Sequence, residues 1–322
     1  MRPLALASPA SLKGVLDSAS AAAHVAAGLR RSVDADELPV ADGGEGTAAV
    51  LYAALGGDWR EAQVSDPLGR RVTARWLVLP NGAAVVDSAE AVGLPLLGVD
   101  ERDPLRATSR GLGELLLAIV ADQPREVFVG LGGSATVDGG AGMREVVGSA
   151  LRDARVRVLC DVRNPLLGER GAARVFGPQK GAGREAVEEL ERRLASRAEL
   201  EAYRDLPGAG AGGGLGAGLA ALGAELCNGA ARVLDTIGFD ERARAADLVV
   251  TGEGTVDRTT LEGKAPGAVV GRCSALGVSC VLFGGVVRDG VDAIPLSGNV
   301  ASAAEDLEAL GEALGRGLLE RA

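Results

Sequence analysis

Most of the side chains able to do chemistry fall in five glycine-rich stretches. These are Asp42-Gly43-Gly44-Glu45-Gly46-Thr47, the run from Gly130 to Gly142, Phe176-Gly177-Pro178-Gln179-Lys180-Gly181, the run from Pro207 to Gly216, and Thr251 to Asp257 continuing to Glu262-Gly263-Lys264-Ala265-Pro266. A glycine loop that opens onto a helix leaves a cluster of backbone N–H donors free, which suits phosphate. Carboxylates inside such loops suit Mg²⁺, a hard cation that bridges nucleotide phosphates, or can accept the proton of an attacking hydroxyl. Lysines among them offset charge on a transferred phosphoryl group. Together these are the components of phosphoryl transfer. Taken singly, a glycine loop is more often a tight turn. The run at 207–216 carries no charge and fits close packing of a helix on a sheet. Asp66-Pro67-Leu68-Gly69 reads as a turn, and Asp138 also fits a helix N-cap. No GxxxxGK[ST] occurs, so a P-loop fold is not expected.

The elements that must hold these loops alternate between strand and helix. Strands are expected at Leu4 to Ala7, Leu38 to Val40, Glu126 to Val129, Val156 to Cys160, Asp247 to Thr251, Val278 to Phe283 and Asp292 to Leu296. Helices are expected from Ser11 (as N-cap) to Arg30, Ala48 to Leu55, Gly111 to Ala121, after Gly142 to Leu151, Arg184 to Arg204, after Gly218, Ala265 to Leu276 and Ala301 to Leu319. This alternation predicts mainly parallel sheets. Between 60 and 87 the pattern changes to three short strands, Arg60 to Ser65, Arg71 to Leu79 and Ala83 to Asp87, joined by turns. That reads as an antiparallel element and places a domain boundary near residue 62.

Composition narrows the function. The chain has 322 residues and a formal net charge of −10, a poor match for nucleic acid or anionic lipid. Aromatic residues make up 2%, too few for the stacking platforms of single-strand binding and consistent with an aliphatic core. No stretch reaches the ~18 apolar residues of a membrane span, and no secretory leader is evident, so a cytoplasmic location is expected. Cys160, Cys227, Cys273 and Cys280 form no CxxC pair and His24 is the one histidine. A zinc site is therefore not expected, and the cysteines read as reduced, small hydrophobes.

At these loops the chain resembles the glycerate kinase type-1 family. The resemblance rests on Pro39-Val40-Ala41-Asp42-Gly43-Gly44-Glu45-Gly46-Thr47, Gly132-Gly133-Ser134-Ala135-Thr136 with Asp138 to Met143, and Cys160-Asp161-Val162 with Asn164-Pro165-Leu166. It continues through Val175 to Ala182, Pro207 to Gly210 with Gly213 to Gly216, and Thr251-Gly252-Glu253-Gly254 with Asp257 and Gly263 to Pro266. These motifs come in family order along nearly the whole chain. The resemblance implies an α/β protein of two lobes with the active site in the cleft between them. One lobe is flavodoxin-like (1–62 plus 245–322), with a second α/β lobe inserted at 63–244. It also implies ATP- and Mg²⁺-dependent phosphorylation of D-glycerate, with the 2-phosphate favoured, by a monomer or homodimer with no nucleic-acid or membrane partner.

On that resemblance, Asp42, Asp161, Asp257, Lys13 and Lys264 are the candidate catalytic residues. Gly132, Gly133, Ser134, Asp138, Gly252, Glu253, Gly254 and Lys180 are candidates for holding nucleotide, and Asp161, Asp257 and Glu45 for Mg²⁺. The chain departs from the family pattern inside the loops. The first family loop reads A-P-D-S-F-K-G, and here Ser8 to Gly14 keeps Lys13 but has Ala10 for the aspartate. Val137, Arg163, Thr255 and Glu262 also differ from the usual residues, and the chain reads short between Gly148 and Val156. These departures leave open a non-catalytic or altered-specificity member that binds a small acid or nucleotide.

Overall fold

The computed structural model describes residues 2–321. Contacts divide the chain into two units, one of residues 1–42, 49–55 and 230–322 and the other of 43–48 and 56–229. Relative to the boundaries expected at 62 and 245, the second unit takes in all of the antiparallel strands, which begin at Asp58.

The first unit holds a five-stranded sheet of β1 (Leu4–Ala7), β2 (Asp34–Glu37), β9 (Leu248–Val256), β10 (Cys280–Val287) and β11 (Ile294–Pro295), ordered β11-β10-β9-β1-β2. Every pairing in it is parallel. Ranked by position in the chain the order is 2-1-3-4-5, that of flavodoxin-like sheets. Ala5, Ala7, Leu248, Val250 and Phe283 form a core with Val25, Leu29 and Leu307 from the helices Ser18–Leu29 and Ala303–Leu319. Those two helices cross on glycine: a Cβ on Gly28 would sit on the carbonyl oxygen of Glu308, and one on Gly311 on that of Val25.

The second unit holds the remaining strands, β3 (Asp58–Ser65), β4 (Arg71–Val78), β5 (Ala84–Asp87), β6 (Val127–Gly130), β7 (Val156–Cys160) and β8 (Glu225–Asn228), in sequence order. β3, β4 and β5 pair antiparallel, whereas β5 to β8 pair parallel. The apolar face of helix Arg110–Ala121 (Leu112, Leu115, Leu116, Ile119) packs with Val127, Val129, Met143 and Val158. A satellite cluster gathers Leu166, Ala173, Leu190 and Leu194.

Five expected elements differ. The helix expected after Gly218 is instead Ala211–Ala220, drawn back into the glycine run. The first helix begins at Ser18 rather than Ser11, with Asp17 accepting from the Ser20 N–H at 2.7 Å. Before it, Gly14 takes a φ of 76° and Leu12 pairs with Leu16, so residues 8–17 form a loop that carries Lys13. The second strand is the acidic Asp34–Glu37, not Leu38 to Val40; it lies at the sheet edge, where polar side chains face water. The helix from Arg184 ends at Ala195 and gives way to a 3₁₀ turn, Ala198–Tyr203. β9 continues through Val256, because β10 pairs with it as far as Val287, so the loop expected from Gly252 begins at Asp257.

Replacing Gly28 by alanine should cost about 1–3 kcal/mol by overpacking the helix crossing. A lower urea midpoint with an unchanged slope would show it.

Candidate active site

In a 2-1-3-4-5 sheet, ligands bind outside the carboxyl ends of the strands where the connections part, here between β1 and β9. The first unit has a cavity of about 340 Å³ at that place. Ser11, Leu12 and Lys13 from the loop after β1 line it, with Glu253, Gly254 and Thr255 on β9, Gly285 and Val286 on β10, and Lys264. Lys264 begins the helix Ala265–Leu276 and makes no side-chain cap there; its Nζ lies 3.6 Å from Glu253 Oε1. That same oxygen accepts the Thr260 hydroxyl at 2.7 Å. Asp257 caps the short helix Arg258–Leu261, its Oδ1 accepting from the Thr259 N–H at 2.8 Å, the Thr259 hydroxyl at 2.6 Å and the Thr260 N–H at 3.3 Å. The Thr259 hydroxyl, with Lys264 assisting, holds the Asp257 carboxyl below the ordinary range.

Gly252, Glu253 and Gly254 are extended strand beside this cavity, not a loop. Gly252 faces the Phe283 carbonyl so closely that a Cβ would collide with it. The Ala10 N–H donates to the Gly252 carbonyl at 2.9 Å, so Ala10, the position of the missing family aspartate, abuts the same strand.

In the second unit, β5, β6 and β7 end side by side, with Asp87 opposite Gly130 and Gly130 opposite Leu159. Asp161 follows β7 directly. Sequence reasoning passed over Asp87, although a carboxylate ending the apolar run Ala83 to Val86 was a usable signal. It is buried, accepting the Gly46 N–H at 2.8 Å and the Ala48 N–H at 3.3 Å at the start of helix Thr47–Leu55. Burial outweighs those two bonds and pushes its carboxyl up to about 7.

The Gly130–Gly133 loop lies against the same segment. A Cβ on Gly132 would come within 2.6 Å of the Glu45 nitrogen, and one on Gly133 would strike the Glu45 carboxylate. Lys180 is 2% exposed. Its Nζ donates to Ser134 Oγ at 2.9 Å and to the Thr136 carbonyl at 2.7 Å, and burial lowers its ammonium to about 7. Asp138 accepts from the Ser109 N–H at 2.9 Å, the Ser109 hydroxyl at 2.7 Å, the Gly140 N–H at 3.0 Å and the Gly142 N–H at 3.2 Å, closing the start of helix Ala141–Val147.

The candidates thus fall into two sets. Lys13, Asp42, Gly252, Glu253, Gly254, Asp257 and Lys264 belong to the first unit, and Glu45, Gly132, Gly133, Ser134, Asp138, Asp161 and Lys180 to the second. Lys13, Glu253, Gly254 and Lys264 share one cavity. Glu45 meets Gly133, and Lys180 meets Ser134. Among the described residues no three His, Cys, Asp or Glu side chains converge as a metal cage, and no helix is long and apolar enough to cross a membrane.

A flavodoxin-order unit with a lysine-lined cavity at its switch point and a mixed-sheet unit with glycine loops define a two-unit α/β protein. Its family follows from comparison with known proteins. The model of the glycerate kinase family matches residues 5–155 and 145–317. The two pieces meet at the stretch where the chain reads short. The chain is 40% identical over 299 residues to glycerate 2-kinase of Escherichia coli strain K12, covering 80% of this chain and 78% of that protein. It is 36% identical over 357 aligned positions to glycerate kinase of Bacillus subtilis strain 168, covering 93% and 94%. The crystal structure of putative glycerate kinase 2 from Salmonella typhimurium LT2 superposes with a TM-score of 0.85 at 32% identity, covering 100% of this chain and 99% of that one. The chain belongs to the glycerate kinase family.

The raised Asp87 carboxyl gives a signed prediction. An acid whose folded value, about 7, lies above its unfolded value of about 3.9 keeps a proton in the folded state that the unfolded chain releases. Its stabilising contribution is complete below about pH 4 and is lost as pH rises through 7. In Asp87→Asn the fall in unfolding free energy between pH 5 and pH 8 should be shallower than in the native protein, as read from urea midpoints.

Proposed function

We propose that this protein transfers the γ-phosphoryl group of ATP to D-glycerate, giving ADP and a phosphoglycerate, with the 2-phosphate the favoured product. The observation that carries the reading is the switch-point cavity where Lys13, Lys264 and Glu253 line one wall set, in a chain of this family. In the reaction the substrate hydroxyl oxygen bonds to the γ-phosphorus, the bond from that phosphorus to the ADP oxygen breaks, and the hydroxyl proton passes to a carboxylate. Asp42, Asp161 and Asp257 are the candidates for that proton. The Thr259 hydroxyl and Lys264 hold the Asp257 carboxyl below the ordinary range. Lys13 and Lys264 offset charge on phosphate oxygens or pair with the substrate's carboxylate. The backbones of Gly132 to Ser134 and of Gly252 to Gly254 are each candidates for contact with phosphate, and Lys180 and Asp138 act by holding the stretch that carries Ser134.

Mg²⁺ carried with the nucleotide needs only one or two protein carboxylates, and it spreads the negative charge of the phosphate oxygens. Asp257, whose described hydrogen bonds all fall on Oδ1, fits that demand, and Asp161 and Glu45 are the further candidates. A second reading, a family member that binds nucleotide or a small acid without turnover, is favoured by Ala10, which stands where the family's first loop has aspartate.

Purified protein with Mg-ATP should release ADP when D-glycerate is added and not in its absence, followed by a coupled NADH assay. Nucleotide binding without turnover of any short hydroxy acid would select the second reading. Lys264→Met should lower kcat by about 10²–10³-fold, the scale of losing one charge-stabilising donor, while the thermal midpoint stays near that of the native protein.

A further inference from the structure

The switch-point cavity has a mixed lining. Lys13, Lys264 and Glu253 bring charge to it, whereas Val286, Leu296 and Val300 bring apolar surface. Val286 is 40% and Val300 64% exposed, so branched side chains stand uncovered beside a charged pocket. The segment carrying Leu296 and Val300 is held by its own bonds. Asp306 Oδ2 accepts the Ser297 N–H at 3.1 Å and its hydroxyl at 2.5 Å, Asn299 Oδ1 accepts the Ala301 N–H at 3.1 Å, and the Ser302 hydroxyl donates to the Asn299 carbonyl at 3.3 Å. The wall is therefore built in advance of any ligand. Asn299 and Asp306 also line the cavity. The bonds described leave the Asn299 amide N–H₂ and Asp306 Oδ1 for an occupant, one donating and one accepting.

We infer that this wall takes the base and sugar of a purine nucleotide, with its phosphates toward Lys13 and Lys264; the inference rests on the phosphotransferase reading above. Of that reaction's two substrates, D-glycerate is three carbons bearing a carboxylate and two hydroxyls, and it has no apolar face to set against Val286 and Val300. A nucleotide has an anionic end and a flat apolar end, and the cavity offers lysines for the one and branched aliphatic side chains for the other. The Asn299 amide suits a ring nitrogen of the base, and the Asp306 carboxylate suits the ribose hydroxyls. Residues 296–306 would then select the phosphoryl donor, a role that no glycine motif in the chain announces.

The test is the double variant Val286→Ser/Val300→Ser, whose changes lie on exposed positions and leave the core intact. The probes are ADP and inorganic tripolyphosphate, titrated calorimetrically into the full-length protein. The expected result is ADP affinity lowered about tenfold as the apolar contact is lost, tripolyphosphate affinity unchanged, KM for ATP raised in parallel, and KM for D-glycerate held within about twofold. ADP affinity equal to that of the native protein would overturn the inference, and a raised KM for D-glycerate alone would assign the wall to the acid. Native protein that binds ADP through these valines yet transfers no phosphate to D-glycerate would keep the inference and sink the proposed function. Turnover with unaltered nucleotide parameters in the variant would do the reverse, and native protein that binds no ADP would end both.

Discussion

One buried carboxylate decides where the segment after Asp42 goes. Asp87 ends β5 and takes the N–H groups of Gly46 and Ala48, the first donors of a helix that would otherwise lack partners. Around it the contacts are backbone on backbone. Gly130 and Gly132 let residues 43–45 approach more closely than any Cβ allows, and Gly133 does the same for the Glu45 side chain. Residues 43–48 are thereby part of the second unit although the chain on either side belongs to the first. Glu45 and the stretch from Gly132 to Asp138 are placed by this arrangement or by the bonds of Lys180, whereas Asp161 follows the end of β7. Desolvation of Asp87 and Lys180 is the cost of such packing, visible in a carboxyl raised to about 7 and an ammonium lowered to about 7.

The first unit solves a different problem. Its sheet is all parallel, so its loops gather at the carboxyl ends of the strands, and the change of direction between β1 and β9 opens a cavity there. The late start of the first helix matters for this. Had Ser11 begun it, Lys13 would have sat within a helical turn; instead Gly14 and the Leu12–Leu16 pairing leave Lys13 on the loop at the cavity. On the other side, the extension of β9 through Val256 sets Glu253 rigidly, and its contacts with Lys264 and Thr260 follow.

Much of this was legible in the residues. Alternating apolar segments announced an α/β protein of parallel character, and the run of short strands at 60–87 announced the antiparallel start of the second sheet. The spans 4–7, 156–160 and 265–276 agree with the observed elements residue for residue. Strands without an apolar run, such as Asp34–Glu37, were not legible, because an edge strand buries little and its pairing comes from the neighbour's register. Nor could glycine spacing separate strand from loop at 252–256, since glycine is at home in both. Lys180 and Asp138 read as ligand-facing from their motifs, yet the structure gives each a set of protein partners. Asp87 went unnoticed because its importance comes from burial, which no local pattern reveals.

The rims of the first sheet have a consequence of their own. At one end β11 is only two residues long. At the other, the exposed carboxylates of β2 are each held by an arginine, Asp34 by Arg2 at 3.4 Å, Asp36 by Arg242 at 3.5 Å and Glu37 by Arg30 at 2.7 Å. A foreign chain seeking to extend the sheet would have to strip water from three ion pairs along four residues, for few ladder bonds in return. A protein so rich in alanine and glycine, with little aromatic mass to enforce its core, is thus guarded against polymerisation at the margin where an all-parallel sheet is otherwise most open to it.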